Sequence, residues 1–281
     1  MTTETRTNDF DTLLAAGSAI ATQNLRALGG CAAPFAIVPE KYTISSLEWL
    51  LGNPTRKRAK VVASDSDSFC AYMARHSLEI LSTIYADVDT INGRLTVVGV
   101  LDDHAAGLPG WREHTCTWAS IPSVEWQRWT SKNAAPMTQG AFAAWLEDNL
   151  ADVASVDGMP TGGDMLQMAL GFERTSEKRL KSKINLQSGG LRFEYVDDED
   201  KDTRTSMEVF SRFAIGIPVF DGSTSAYRID ARLRYRDNSG KLSFWYELVR
   251  PDRAFRQAVA EELSEIAKKT ALSIINGRPW A

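Results

Sequence analysis

The amino-acid sequence predicts an α+β fold, with mostly antiparallel sheets, flanking helices and a long C-terminal helix. Three observations lead to this prediction. Two alternating segments flank a turn between residues 226 and 248. Helical spacing then continues to Lys269. In the preceding chain, strand-like and helix-like segments come in groups and not in regular alternation, which is typical of antiparallel sheets with segregated helices.

The hairpin between residues 226 and 248 is the best-specified element. Its first strand alternates strictly between apolar and polar residues, which predicts one buried face and one solvent-facing side. The apolar members of this strand are Tyr227, Ile229, Ala231, Leu233 and Tyr235. Residues 237–240, with the sequence DNSG, suit a chain reversal. The partner strand continues the alternation at Leu242, Phe244, Tyr246 and Leu248.

A long helix is predicted directly after this hairpin. Pro251 ends the second strand because proline has no N–H for the ladder, and Asp252 is the expected cap of the helix. Apolar residues recur at helical spacing from Phe255 through Val259 to Ile266. The matching apolar faces predict that hairpin and helix pack together as the main core.

The remaining elements are predicted from the same two periodicities and from cap and turn residues. Asn92-Gly93 is a strong hairpin signal, and Asp65, Ser123 and Thr138 are helix-starting residues. In chain order we expect a helix over 9–28, a strand Val61–Ala63, a helix after Asp65, strands Leu78–Ala86, Arg94–Leu101 and Arg112–Ile121, helices after Ser123, Thr138 and Thr161, a hairpin Lys183–Val196 and one long strand Ser206–Phe220. The chain is interpreted as two lobes, 1–132 and 138–281, or as one domain.

Composition and charge narrow the class of protein. The chain has 281 residues, a net charge of −4 and three cysteines without CxxC spacing. These features argue against a disulfide framework and a cysteine-based zinc site, and they favour a soluble protein of the cytoplasm. We expect no secretion signal, because the N-terminal residues show no basic region before an apolar run, and no apolar stretch has membrane-spanning length. We expect no membrane association and no cofactor.

The first candidate site is a group of metal-ligand residue types, Asp103, His104 and His114, with Asp102 beside them. If the strands on either side of their loop pair, the two histidines can approach each other. Imidazole and carboxylate suit zinc, manganese or iron, and a metal-activated water permits hydrolysis. The alternative interpretation is a structural loop with two hydrogen-bonding histidines.

The second candidate site is a basic stripe along the polar side of the hairpin. It consists of Arg228, Arg232, Arg234 and Arg236, with Trp245 on the neighbouring strand. Guanidinium groups bind phosphates and exposed aromatic rings stack on bases, which predicts single-stranded nucleic-acid binding. Asp230 interrupts the stripe and Glu247 can pair across the hairpin. The alternatives are therefore a solubilising face with ion pairs, or an interface between subunits.

No catalytic residue is predicted from motifs. The sequence contains no GxxxxGK[ST], no GxGxxG after a strand, no GxSxG and no HExxH pattern. Eight tryptophans are consistent with a buried core or with surfaces that associate.

Several segments resemble the YfdQ-like family of phage and prophage proteins. They are Val97–Trp111, Glu125–Trp129, the sequence GAFAAWLEDNLADV at 140–153 and the stretch 217–251. The resemblance spans roughly the C-terminal two thirds of the chain, and it implies phage origin without catalytic residues to carry over. The expected function is that of a non-catalytic phage accessory protein that self-associates and acts by binding or assembly. The alternatives are a single-stranded nucleic-acid protein of phage recombination or replication, a metal-dependent hydrolase, and a protein that binds a host protein.

Overall fold

The computed structural model describes residues 48–175, 179–185, 191–196, 204–238 and 241–280. The chain divides into two compact units, residues 1–57 and residues 58–281. In the first unit, the described residues form one short 3-10 helix, Glu48–Leu50. The predicted helix over 9–28 lies outside the described residues. The elements described below belong to the second unit, and the predicted lobes 1–132 and 138–281 stay a prediction.

The protein is α+β, as the sequence predicts. The described residues contain five α-helices, and none of these is long and apolar enough to cross a membrane. They are α1 (Ser66–His76), α2 (Val124–Ser131), α3 (Gln139–Asp148), α4 (Gly162–Thr175) and α5 (Pro251–Thr270). The side chains of Asp65, Ser123 and Thr138 accept backbone N–H bonds at the starts of α1, α2 and α3. These three caps confirm the predicted helix starts.

The predicted Asn92-Gly93 hairpin forms two strands of a five-stranded sheet. Its strands are β1 (Ala59–Val62), β2 (Thr83–Asp89), β3 (Arg94–Val100), β4 (His114–Ala119) and β12 (Ile274–Asn276), in the order β1-β4-β3-β2-β12. Strands β2, β3 and β4 pair antiparallel, whereas β1 and β12 pair parallel at the two edges. Strand β12 is not predicted from the sequence, because three residues are too few to show a period.

A four-stranded antiparallel sheet contains the hairpin at residues 226–248. Its strands are β5 (Met137–Thr138), β9 (Arg212–Ile217), β10 (Tyr227–Asn238) and β11 (Lys241–Leu248), in the order β5-β11-β10-β9. A separate three-stranded antiparallel sheet comprises β6 (Arg179–Asn185), β7 (Leu191–Val196) and β8 (Arg204–Val209).

The prediction of one long strand over Ser206–Phe220 is wrong. The strand is interrupted at residues 210 and 211. The part before the interruption, β8, pairs with β7, and the part after it, β9, pairs with β10. A two-residue alternation is the same in either sheet, and it cannot indicate where a chain changes its partner strand. The break places Arg212 at the start of β9.

The core forms where the apolar side of the four-stranded sheet meets the helices. Ile229, Ala231 and Leu233 are buried on β10, and α5 packs against that strand. Phe244 of β11 stacks on Phe142 of α3 with ring centroids 5.5 Å apart. This arrangement confirms the predicted packing of hairpin and helix, and it leaves the opposite side of the sheet for solvent.

The start of α5 differs from the prediction. Asp252 was expected to cap the helix, but the cap residue is Arg250, with a left-handed φ of 53° and no side-chain cap bond. Pro251 then occupies the first helical position, where its missing N–H costs nothing. The Asp252 carboxylate instead accepts two hydrogen bonds from the Arg250 guanidinium, both at 3.0 Å.

Candidate functional site: an exposed arginine face

The outward side of strands β9, β10 and β11 is the first candidate site, and we call it the arginine face. Antiparallel partners directly opposite each other point to the same side of a sheet. The strand register therefore places on this side the arginines Arg212, Arg228, Arg232, Arg234 and Arg236, the carboxylates Asp230 and Glu247, and Trp245. All five arginines are exposed, and the carboxylates and Trp245 are partly exposed.

Two ion pairs use both carboxylates of the arginine face. Arg228 Nε lies 2.9 Å from Asp230 Oδ1, and Arg234 Nε lies 3.2 Å from Glu247 Oε2. The hydrogen bond from Arg234 is the main reason why the pKa of Glu247 lies below its ordinary value, and the charge of Arg232 lowers it further. The predicted cross-strand ion pair is thus present, but it neutralises only part of the stripe.

Trp245 contacts two charged side chains. The guanidinium of Arg236 lies over its ring, 5.7 Å from the ring centre, and its Nε1 donates a long hydrogen bond of 3.4 Å to Glu247 Oε1. Cation–π contact of this kind holds the indole on the surface of the sheet. The structure therefore brings Trp245 together with Arg236.

Arg212 is the residue of this face that the sequence pattern does not predict. It pairs with Arg232 in the register of β9 with β10, and both side chains are exposed. The missing signal was the start of a new strand after Ser211. If a strand begins at Arg212, the two-residue period places Arg212 on the exposed side of the sheet and Phe213 on the buried side.

The predicted metal-ligand residues have separate partners. His104 is exposed, and its Nδ1 accepts a hydrogen bond from the Gly110 N–H at 2.9 Å. His114 is buried at the start of β4, where its Nε2 lies 2.8 Å from the hydroxyl of Tyr72. Its ring also contacts His76, with centroids 5.6 Å apart, because α1 packs across β4. His76 was not foreseen as a neighbour.

Asp103 is a structural centre of the loop between β3 and β4. Its carboxylate accepts hydrogen bonds of 2.8 Å from Tyr85 Oη and from the His104 N–H, and it pairs with Arg112 Nε at 3.0 Å. Burial raises the pKa of Asp103, but these bonds and the arginine charge lower it more, so the net pKa lies below the ordinary 3.8. An ionised carboxylate with these partners stabilises the loop.

The described residues contain no group of three or more His, Cys, Asp or Glu side chains placed to hold a metal ion. The hypothesis of a metal site at Asp103, His104 and His114 therefore stays a prediction, without added support from this geometry.

A cleft of about 230 Å³ is a further feature that the sequence did not indicate. Its lining includes Trp118 and Phe220 and four carboxylate residues, Asp65, Asp67, Asp221 and Glu262. Two of these have structural roles, since Asp65 caps α1 and Asp67 pairs with Lys269 at 2.6 Å. The lining residues come from separate segments, which is why no sequence motif marks the cleft.

Comparison with known proteins connects the chain to a family. No curated protein matches it. The model of the family DUF2303, described as an uncharacterized conserved protein, matches residues 8–279. The match extends over both compact units and over every element described above. The chain belongs to the DUF2303 family of uncharacterized conserved proteins.

Proposed function

We propose that this protein acts by binding and not by catalysis, and that its arginine face contacts single-stranded nucleic acid. One observation supports this most directly. The face contains five exposed arginines and two carboxylates, a local net charge of +3, on a chain whose total is −4. A local excess of this sign on an acidic protein favours a specific anionic partner over general attraction to polyanions.

The shape of the site favours an unpaired strand over a duplex. The arginines lie on the exposed side of a sheet, along which a flexible phosphate backbone can run. Trp245 lies among them and offers a ring on which a base can stack in place of Arg236. Guanidinium groups bind phosphate oxygens through parallel N–H donors, so each arginine is suited to a backbone contact.

The biological setting is part of the same proposal. The resemblance to the YfdQ-like family favours a phage or prophage origin, and we propose that the protein works in the cytoplasm of the host cell. Single-stranded DNA arises during phage recombination and replication. We propose that the protein binds this DNA as an accessory factor in one of these processes.

Self-association is a second candidate function, favoured by exposed apolar side chains. Val62, on the edge strand β1, is 80% exposed, and Ile91 and Trp111 are 93% and 71% exposed. An exposed edge with apolar residues can pair with another chain. A second copy or a host protein can serve as that partner, and light scattering of the eluted protein at decreasing concentration distinguishes a stable oligomer from a monomer.

Charge reversal at two central arginines tests the proposed function. The variant Arg232→Glu/Arg234→Glu removes two positive charges from the face and adds two negative ones. We expect its affinity for a labelled oligothymidine at low salt to fall at least about 100-fold, because phosphate contacts dominate such binding. Fluorescence anisotropy on protein treated with nuclease during purification measures this loss.

A control with the same total charge makes the test specific. Arg75→Glu/Arg253→Glu changes two exposed arginines on α1 and α5, away from the face. The affinity of this variant should lie within about threefold of the wild-type affinity. Both double variants change the total charge equally, so a difference between them reports the local charge of the arginine face. Equal losses in both variants, or no binding by the wild type at low salt, would contradict the proposal.

A further inference from the structure

Arg212 and Arg232 form the closest type of cross-strand pair. The Leu233 N–H donates to the Ser211 carbonyl at 3.0 Å, so the next pair along the ladder, Arg232 with Arg212, is a non-hydrogen-bonded pair. In such pairs the Cα atoms are about 4.5 Å apart and the side chains approach most closely. Two guanidinium groups therefore start from neighbouring positions on the same exposed side.

The carboxylates of the face leave this arginine pair without full compensation. Asp230 is paired with Arg228, and the Glu247 carboxylate bonds to Arg234 and to Trp245 Nε1. Arg232 is near enough to Glu247 to lower its pKa, but the described residues give neither Arg212 nor Arg232 an ion pair or hydrogen bond of its side chain. Like charges directly opposite each other destabilise a sheet.

We propose that Arg212 and Arg232 are a clamp for one phosphate group. Each guanidinium presents two parallel N–H donors that match two phosphate oxygens, and one anion between the two groups removes their repulsion. The inference rests on the proposed function, in which this phosphate belongs to the backbone of single-stranded nucleic acid. A free phosphate or pyrophosphate offers the same chemistry, so the two sources must be separated by experiment.

The clamp makes a quantitative prediction about salt dependence. Variants Arg212→Gln, Arg232→Gln and the double variant are titrated with labelled oligothymidine at several salt concentrations. Each phosphate contacted in a single strand contributes about 0.7 to the slope of log affinity against log salt. Because both arginines hold one phosphate, we expect the double variant to lose about 0.7 in total, and not the about 1.4 of two independent contacts.

Arg228→Gln is the matched control, since it removes an arginine of the same face whose carboxylate partner is Asp230. We expect each clamp variant to lose about tenfold in affinity and this control less than threefold, because its charge is already neutralised. Equal losses in all three single variants, or additive slopes in the double variant, would show independent contacts and overturn the clamp.

Thermal unfolding separates the clamp from nucleic-acid binding. Without ligand, Arg212→Gln should raise Tm by about 2 °C, because one like charge is removed. Millimolar pyrophosphate should raise the Tm of the wild type and of Arg228→Gln but not of the clamp variants. If oligothymidine does not bind while pyrophosphate still protects in this pattern, the clamp stands and the proposed function fails. Equal protection of all variants would reject the clamp.

Discussion

Ion pairs between arginine and aspartate occur in two parts of the molecule that differ in burial and in charge balance. In the loop between β3 and β4, Asp103 and Arg112 pair with side chains only 4% and 24% exposed. On the arginine face, Arg228 and Asp230 pair with side chains 52% and 43% exposed. The first pair has additional hydrogen bonds from Tyr85 and His104. The second belongs to a group in which arginines outnumber carboxylates.

This difference indicates what each arrangement contributes. A buried, balanced carboxylate with several donors holds a loop in one conformation, and removal of one partner leaves the others unsatisfied. An exposed pair contributes little to stability because water and salt screen it. The loop contact is therefore expected to matter for folding, and the exposed excess charge for a partner. Three substitutions test this division.

The largest effect is expected for Asp103→Asn. The amide keeps the volume but loses the charge, and its NH₂ group then faces the donors that the carboxylate accepted. We expect the free energy of unfolding to fall by about 2 to 3 kcal/mol. Urea unfolding followed by tryptophan fluorescence measures the change. Asp230→Asn is the matched control on the arginine face and should lose a small fraction of that amount, and equal losses would contradict the comparison.

The pH dependence sharpens the same test. The folded-state pKa of Asp103 lies below its ordinary value of 3.8, so its contribution is fully present above that value. As the pH falls through the folded pKa, the carboxyl takes up a proton in the folded state and the contribution disappears. The difference in unfolding free energy between wild type and Asp103→Asn should therefore shrink below pH 3.8. A difference that stays constant to lower pH would contradict this account.

An intermediate effect is expected for Tyr85→Phe. The substitution removes one of the donors to Asp103, a hydrogen bond of 2.8 Å, and keeps the ring. The loss should be about 1 kcal/mol, because the remaining donors still hold the carboxylate. In the Asp103→Asn background the same substitution should cost clearly less, and a double-mutant cycle of unfolding measurements checks this coupling. Additive losses would indicate that the hydroxyl does not act through Asp103.

The smallest effect on stability is expected for Glu247→Gln. Unlike the losses above, its effect on nucleic-acid binding should be a gain. Removal of this carboxylate frees Arg234 and raises the charge of the arginine face. Affinity for oligothymidine at low salt should rise about threefold, with a steeper salt dependence. Anisotropy titrations at two salt concentrations measure this gain. A loss of affinity would mean that Glu247 positions the arginines, so that the charge excess alone does not determine binding.

Much of the fold was predictable from the sequence because the relevant signals are local. The alternation of β10, the turn signal at Asn92-Gly93 and the caps at Ser123 and Thr138 act within a few residues. The failures involve partners far away in the sequence. The break at Ser211 depends on which sheet each half joins, and β12 depends on β2.

The candidate site divides in the same way. The four arginines of β10 were predictable because a two-residue period fixes their side of the sheet. Arg212 was not, since its place depends on the register of β9 with β10. Likewise, no period brings His76 to His114, because their contact depends on how α1 packs across β4.

The edge strand β12 has a consequence for how the protein folds. It joins Ile274 to Ile84, two residues 190 positions apart in the chain. Such a contact is formed at a high entropic cost of loop closure, and folding rates fall as contacts of this range accumulate. We therefore expect the outer edge of β2 to be covered only late in folding. During that interval, association between incompletely folded chains competes with the final step, so yield on refolding should depend on protein concentration.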